Sequence, residues 1–513
     1  MPVAYKEIVY FLFLSLFSWT VMSFGGTYSG TNNKVLFHSV SIKKVNNLVY
    51  EKENPMDEAV YIFKGGYLFQ QTDAEKYSAY YDGKIGYIRT SDYWHFPVNN
   101  NDADAGLIGD KDNYSLQIKL KNKNHLPVVS ILTDPDDFFS YENGIYVLGS
   151  DADFLSSAKF YPFAWHKPAN FTRSENDNRK VHFSFFDEKG NCCFQSYVYA
   201  EISGNATRCF PQKSLRISAD KNIGSKKLKY SFFKNKFIYK TLVLRNGGND
   251  NTKSLFRDML MQEIMSENGL TVSDFLPCEM YLNGEYWGIH FLQNRMDEDF
   301  IAERYNVKSK NVTIAENWKF AAGSETEINH LNKLVSNKNL SYEMIESEID
   351  MDDFTRFLIG ELFFANTDWP ENNLKMFKIS GKNESKWKFA FFDLDYGFGY
   401  IGPDAVKTDM FHFLMQKNDP FSRIFKICME SKEFKKMFKS KFEFYLFEKF
   451  TPSSLKKKIA EIEGQLAPCI DDHTMRWQKP ADKEQWKKEV SVLNDFAESR
   501  SGVLIRQIEK YLN

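Results

Sequence analysis

The stretch Asn366-Thr367-Asp368-Trp369-Pro370-Glu371-Asn372-Asn373, followed by Phe391-Phe392-Asp393-Leu394-Asp395, constrains this chain more than any other part of it. It sets a carboxylate, Asp368, then an amide five positions on, Asn373, then a second carboxylate, Asp393, 20 residues beyond that. Lys388-Phe389-Ala390-Phe391-Phe392 reads as the strand that delivers Asp393. Phosphoryl transfer uses these groups in this order: an Asp orients the attacking hydroxyl, and an Asn and a second Asp hold Mg²⁺ against the nucleotide phosphates. The competing reading is structural. Asp and Asn are turn formers, and a loop ending a helix is built from the same residues.

The chain of 513 residues has room for about two to four domains, each able to bury a core. With 43% hydrophobic and 16% aromatic residues it reads as globular, not disordered. Its 66 basic and 68 acidic residues nearly cancel, so no basic face argues for nucleic acid.

After Lys6-Glu7, the run from Ile8 to Met22 is apolar and exits through Ser23, Gly25 and Gly26. It falls short of the roughly 20 residues a spanning helix needs and fits a secretory signal peptide over 1–26, with an uncleaved anchor as the alternative. No other segment reads as membrane-spanning, so the body is expected outside the cytoplasm: periplasmic, cell-surface or extracellular. Six cysteines are sparse for this length, and none shows zinc spacing. An exported chain permits a bridge from Cys192 or Cys193 to Cys209; mostly buried free thiols are the expectation.

Residues 27–125 alternate apolar and polar, as in Lys34-Val35-Leu36-Phe37-His38, with turn clusters at Asp82-Gly83 and Asn99-Asn100-Asn101-Asp102: a β-rich N-terminal module. From 126 the pattern changes. Leu126–Asp134 is a buried-strand run. Val181–Phe186 and Tyr197–Ile202 flank a turn at Asp187–Asn191 and form a hairpin. The short loop Gly204-Asn205-Ala206-Thr207-Arg208, with Lys213 after it, is the kind of small-residue turn that brings backbone N–H groups and a lysine to phosphates; it is equally an ordinary turn. Leu242-Val243-Leu244-Arg245 runs into a glycine turn and then a helix with Leu255, Met259, Leu260, Ile264 and Met265 on one face. Asn283-Gly284 marks a hairpin. Helices are expected near 325–336 and 351–366, and amphipathic ones around 419–449 and 482–511.

Taken together, these pieces resemble the CotH kinase family, named for a spore-coat protein. The residues that carry the resemblance are Gly204–Arg208 with Pro211-Gln212-Lys213-Ser214, Leu244–Asp250, Tyr281–Gly288, Asn366–Asn373 and Phe392–Asp395, all in order. The resemblance covers roughly 126–510. It implies an α+β, atypical protein-kinase-like fold with a mostly helical C-terminal part (N-lobe about 126–292, C-lobe about 293–513). It also implies ATP with Mg²⁺ or Mn²⁺ as cofactors and protein Ser/Thr hydroxyls as acceptors. Asp368 then matches the catalytic Asp, Asn373 and Asp393 the metal side, and Asp395 a second metal ligand. Lys213 is the expected phosphate lysine, with Arg208 and Asn205 on the nucleotide side and Asp258, ahead of Glu263, as the carboxylate that would hold Lys213. Gln293-Asn294-Arg295 departs from the Arg-Glu-Arg expected of exported relatives. Two alternatives stay open: a catalytically silent surface-binding or adhesin-like protein on the same scaffold, and a two-carboxylate glycosidase, which leaves Asn373 without a role.

Overall fold

The structure is a computed structural model that describes seven strands before residue 121 and most of the chain from 126 onward. Outside the description lie the other residues before 126, together with 134, 140–141, 148, 155–166, 174–176, 235–237, 283–284, 382–384 and 513. The expected signal segment and the Asp82-Gly83 and Asn283-Gly284 turns therefore fall outside the described residues.

The early strands are β1 (Lys34–Leu36), β2 (Ile42–Asn46), β3 (Val49–Lys52), β4 (Val60–Lys64), β5 (Tyr67–Gln70), β6 (Ala103–Ile108) and β7 (Ser115–Leu120). They form one sheet in the order β2-β3-β1-β4-β5 and a separate antiparallel pair, β6-β7. Strand β6 follows directly on the expected turn cluster at 99–102 and pairs residue by residue with β7. The chain divides into two compact units. The smaller takes in these strands, 130–182 and 281–286; the larger takes in 124–129, 183–280 and 287–513. Every candidate site residue lies in the larger one.

Seven strands close a barrel: β8 (Val128–Leu132), β9 (Arg179–Phe186), β10 (Cys192–Ser203), β11 (Ser214–Ser218), β12 (Thr241–Arg245), β14 (Phe275–Leu282) and β15 (Glu285–Asn294), in the order β10-β11-β12-β15-β14-β8-β9. The β9–β10 turn closes as expected, with Asp187 taking the N–H groups of Lys189 and Asn191. In β12 the apolar run buries Thr241 to Leu244, and the strand emerges at Arg245. A second sheet runs β13 (Thr271–Val272)-β19 (Lys388–Phe391)-β18 (Lys375–Ile379)-β16 (Val312–Glu316)-β17 (Lys319–Ala322).

Helices follow their capping signals. They are α1 (Arg257–Glu267), α2 (Glu298–Arg304), α3 (Glu325–Ser336), α4 (Tyr342–Glu348), α5 (Met351–Phe364), α6 (Met410–Gln416), α7 (Pro420–Glu430), α8 (Lys432–Phe444), α9 (Pro452–Leu466), α10 (Ile470–Trp477) and α11 (Lys483–Leu512). Ser324, Ser341, Asp350, Asp409, Asp419 and Thr451 each accept a first-turn N–H. Each such cap contributes roughly 1 kcal/mol. The core gathers around α5, where Phe354 and Phe357 pack on Phe389, Phe421 and Trp369. The six cysteines are free thiols, and Cys278, Cys428 and Cys469 are buried. Among the described residues no helix is long and apolar enough to cross a membrane.

Candidate active site

Chain geometry explains why the spacing in the sequence works. α5 ends at Ala365, whose left-handed φ of 53° turns the chain into Asn366-Thr367-Asp368. The loop then enters β18, which pairs antiparallel with β19 in the register Lys375↔Ala390 and Met376↔Phe389. Extending that register by two residues sets Asn373 opposite Phe392, beside Asp393. The Asn373 amide donates to Asp368 Oδ2 at 2.9 Å and to the carbonyl of Asp393 at 3.2 Å. Both residues adopt left-handed backbones, φ 60° for Asn373 and 57° for Asp393. Asn is enriched there and Asp tolerates it, whereas a β-branched residue would be strained. Asn372 holds the other Asp368 oxygen at 3.1 Å, and burial, reinforced by the charge of Asp393, raises the Asp368 pKa.

From the barrel side comes Arg245, which the sequence reading quoted without giving it a role. Its Nη2 donates to Asp393 Oδ1 and, at 3.0 Å, to Asp395 Oδ2, while its Nε lies 3.1 Å from Asp258 Oδ2. Burial opposes the Arg245 charge, but the carboxylates of Asp258, Asp393 and Asp395 outweigh it and raise its pKa. Asp258 also accepts the backbone N–H of Leu394 at 2.9 Å and the Gln262 amide at 2.8 Å. Asp395 accepts both the backbone and the side-chain N–H of Asn249, at 2.7 and 3.0 Å. Burial, with the Asp393 charge adding to it, pushes its carboxyl up to about 8.

The nucleotide-side expectations divide. Asp258 does not hold Lys213. It is buried on α1, where it pairs with Arg245 and accepts the Leu394 N–H of the Asp393 loop. Lys213 is fully buried and donates to the carbonyls of Arg208 and, at 2.9 Å, Phe210. Burial lowers its pKa well below that of an ordinary lysine. Gly204 and Asn205 are exposed, and Arg208 Nε bonds back to the Gly204 carbonyl. Asn246 ties the two loops together: its amide donates to the Gln212 carbonyl at 2.6 Å and its Oδ1 accepts Ser214 Oγ at 2.9 Å. The 204–213 loop is thereby fixed beside the turn that carries Arg245.

Among the described residues no group of three or more His, Cys, Asp and Glu is arranged to hold a metal ion. The donors nonetheless suit a hard cation, which takes carboxylate and amide oxygens. Gly248 makes room for them: at φ 66°, a Cβ there would come within 1.9 Å of Asp395 Oδ2. Beneath Asp368 lies Glu361 on α5, also missed from sequence. It is 1% exposed, its Oε2 makes no hydrogen bond among the described residues, and burial raises its pKa well above the usual carboxylate range. A carboxylate inside an apolar helix stretch was the available signal for it.

A family model described as CotH kinase protein matches residues 200–504. This chain belongs to that family. The match makes the chain a kinase-like protein, on an α+β fold, and the matched span contains every candidate residue assembled above, Arg245 and Glu361 included. No curated protein matches it.

Proposed function

We propose that this CotH-family chain is an exported protein kinase that moves the γ-phosphoryl group of ATP to Ser or Thr hydroxyls of a protein. The observation that carries this is the continuous path Asp368–Asn373–Asp393, in which a base candidate and two metal-side groups are joined by hydrogen bonds. Asn373, Asp393 and Asp395 would hold Mg²⁺ or Mn²⁺, which would supply positive charge to offset that of the phosphates. Asp368 orients the acceptor hydroxyl and takes its proton as the oxygen–phosphorus bond forms and the bond from the γ-phosphorus to the β–γ bridging oxygen breaks, leaving ADP. Asn372 and Asn373 fix the Asp368 carboxylate, so positioning carries much of the rate. Export rests on the N-terminal apolar run and is tested by sequencing the N-terminus of the mature protein.

A catalytically silent surface-binding role draws support from one observation: the lysine expected at the phosphates is fully buried on carbonyls. The deciding experiment is label transfer from γ-labelled ATP, with Mg²⁺ or Mn²⁺, to the chain itself and to casein. Wild type should transfer label, and Asp368→Asn and Asp393→Ala should each lower the rate by about 10²-fold or more. Absence of transfer by the wild type, with no thermal shift from ATP and Mn²⁺, would favour the silent reading.

A further inference from the structure

Lys213 is 0% exposed, whereas the Arg245 side chain is 18% exposed and contacts Asp393, at 34% the most open of its three carboxylate partners. One guanidinium faces three carboxylates, so with all of them ionised the cluster carries a surplus negative charge that a divalent cation would offset. The contacts of Arg245 are unequal. Nε lies 3.1 Å from Asp258 Oδ2 as an ion pair but makes no hydrogen bond among the described residues, Nη2 alone donates to both Asp393 and Asp395, and Nη1 makes none either. The terminal nitrogens can therefore leave Asp393 and Asp395 while the Nε edge keeps its ion pair with Asp258. A planar fork of this kind suits phosphate oxygens.

We propose that Arg245, rather than Lys213, is the cation that takes the nucleotide phosphates, and that it also competes with the divalent ion for Asp393 and Asp395 until the two arrive together. The inference rests on the kinase reading above for the nucleotide and the ion. It makes Arg245 both a lock on the carboxylates and a phosphate ligand. Removing it should therefore shift two affinities in opposite directions, which a merely structural role would not do.

The test uses the full chain as wild type, Arg245→Gln, Arg245→Lys and Asp393→Ala, with thermal unfolding to confirm that each is folded. Mn²⁺ binding without nucleotide is followed by the electron paramagnetic resonance signal of the free ion, and ATP binding at saturating Mn²⁺ by calorimetry. Arg245→Gln should bind Mn²⁺ alone at least fivefold more tightly and ATP at least tenfold more weakly. Arg245→Lys, which keeps a charge but loses the fork, should fall between it and wild type on both. Equal weakening of both ligands, or no change in either, would overturn the proposal while leaving the kinase reading intact. If wild type and Arg245→Gln bind neither Mn²⁺ nor ATP, the kinase reading fails and the proposal falls with it.

Discussion

Glu279 sits in β14 with only 5% of its surface exposed, beside Cys469 and the charge of Asp472. Burial, with Asp472 adding to it, pushes its carboxyl up to about 7 from an ordinary 4.5. The sign of the resulting pH dependence is the reverse of that for a salt-bridged carboxylate. Below the unfolded value both states are protonated and Glu279 contributes nothing. As the pH climbs from about 4.5 towards 7 the unfolded chain ionises first, and the native state pays a penalty that is complete above 7. At 1.36 kcal/mol per pKa unit this is about 3 kcal/mol. Glu279→Gln should therefore gain roughly 2–3 kcal/mol relative to wild type between pH 5 and pH 8, read from urea unfolding at each pH. Parallel stability curves for the two proteins would sink the assignment.

At the scale of elements, α10 is bound to the backbone of β15 on both sides of Gly288. Trp477 Nε1 donates to the Trp287 carbonyl at 3.0 Å, and His473 Nδ1 accepts the Ile289 N–H at 3.1 Å. Burial, together with nearby His290, lowers the His473 pKa to about 3, so the ring is neutral and Nδ1 is free to accept. Gly288 is required twice over: its φ is 90°, and a Cβ would lie 2.5 Å from Trp477 Nε1. Gly288→Ala should cost roughly 1–3 kcal/mol of stability, measured by the shift in urea midpoint. A change below about 0.5 kcal/mol would mean that α10 does not grip β15 in this way. Much at this scale was legible beforehand. Long periodic segments came through, 325–336 as expected and 351–366 with its end at Phe364, because apolar spacing and a Ser or Asp cap agree. The seven-residue helix α4 was missed, having too few turns to show a period. Helix α1 was read as one-sided, yet it is buried nearly all round, because Arg257, Asp258 and Gln262 find partners inside on Asp250, Arg245 and Ser273.

Across the whole chain, what could be read depended on sequence separation. Asp368, Asn373 and Asp393 were legible because turn and strand spacing fixes them locally, whereas Arg245 meets Asp393 across 148 positions and no local pattern announces that. Arg500 shows the same limit on a structural pair. On α11 it is 0% exposed, and it donates to the carbonyls of Phe363 at 2.9 Å and Leu362 at 2.6 Å, the last turn of α5. It also donates to Val406 at 2.7 Å and Thr408 at 2.9 Å. A helix end buried without partners is costly, and here one guanidinium satisfies the C-terminus of the helix that launches Asp368. Arg500→Leu fills similar space but strands the carbonyls of Leu362, Phe363 and Val406, while Thr408 keeps the Gln507 amide, at roughly 1–3 kcal/mol for each that water cannot reach. The expected loss is therefore at least about 3 kcal/mol in urea unfolding, with faster amide exchange in the residues following Ala365, since those N–H groups depend on the turn that Arg500 secures. A loss under about 1 kcal/mol, or exchange unchanged at 366–368, would show that α5 holds the Asp368 loop without help from the far end of the chain.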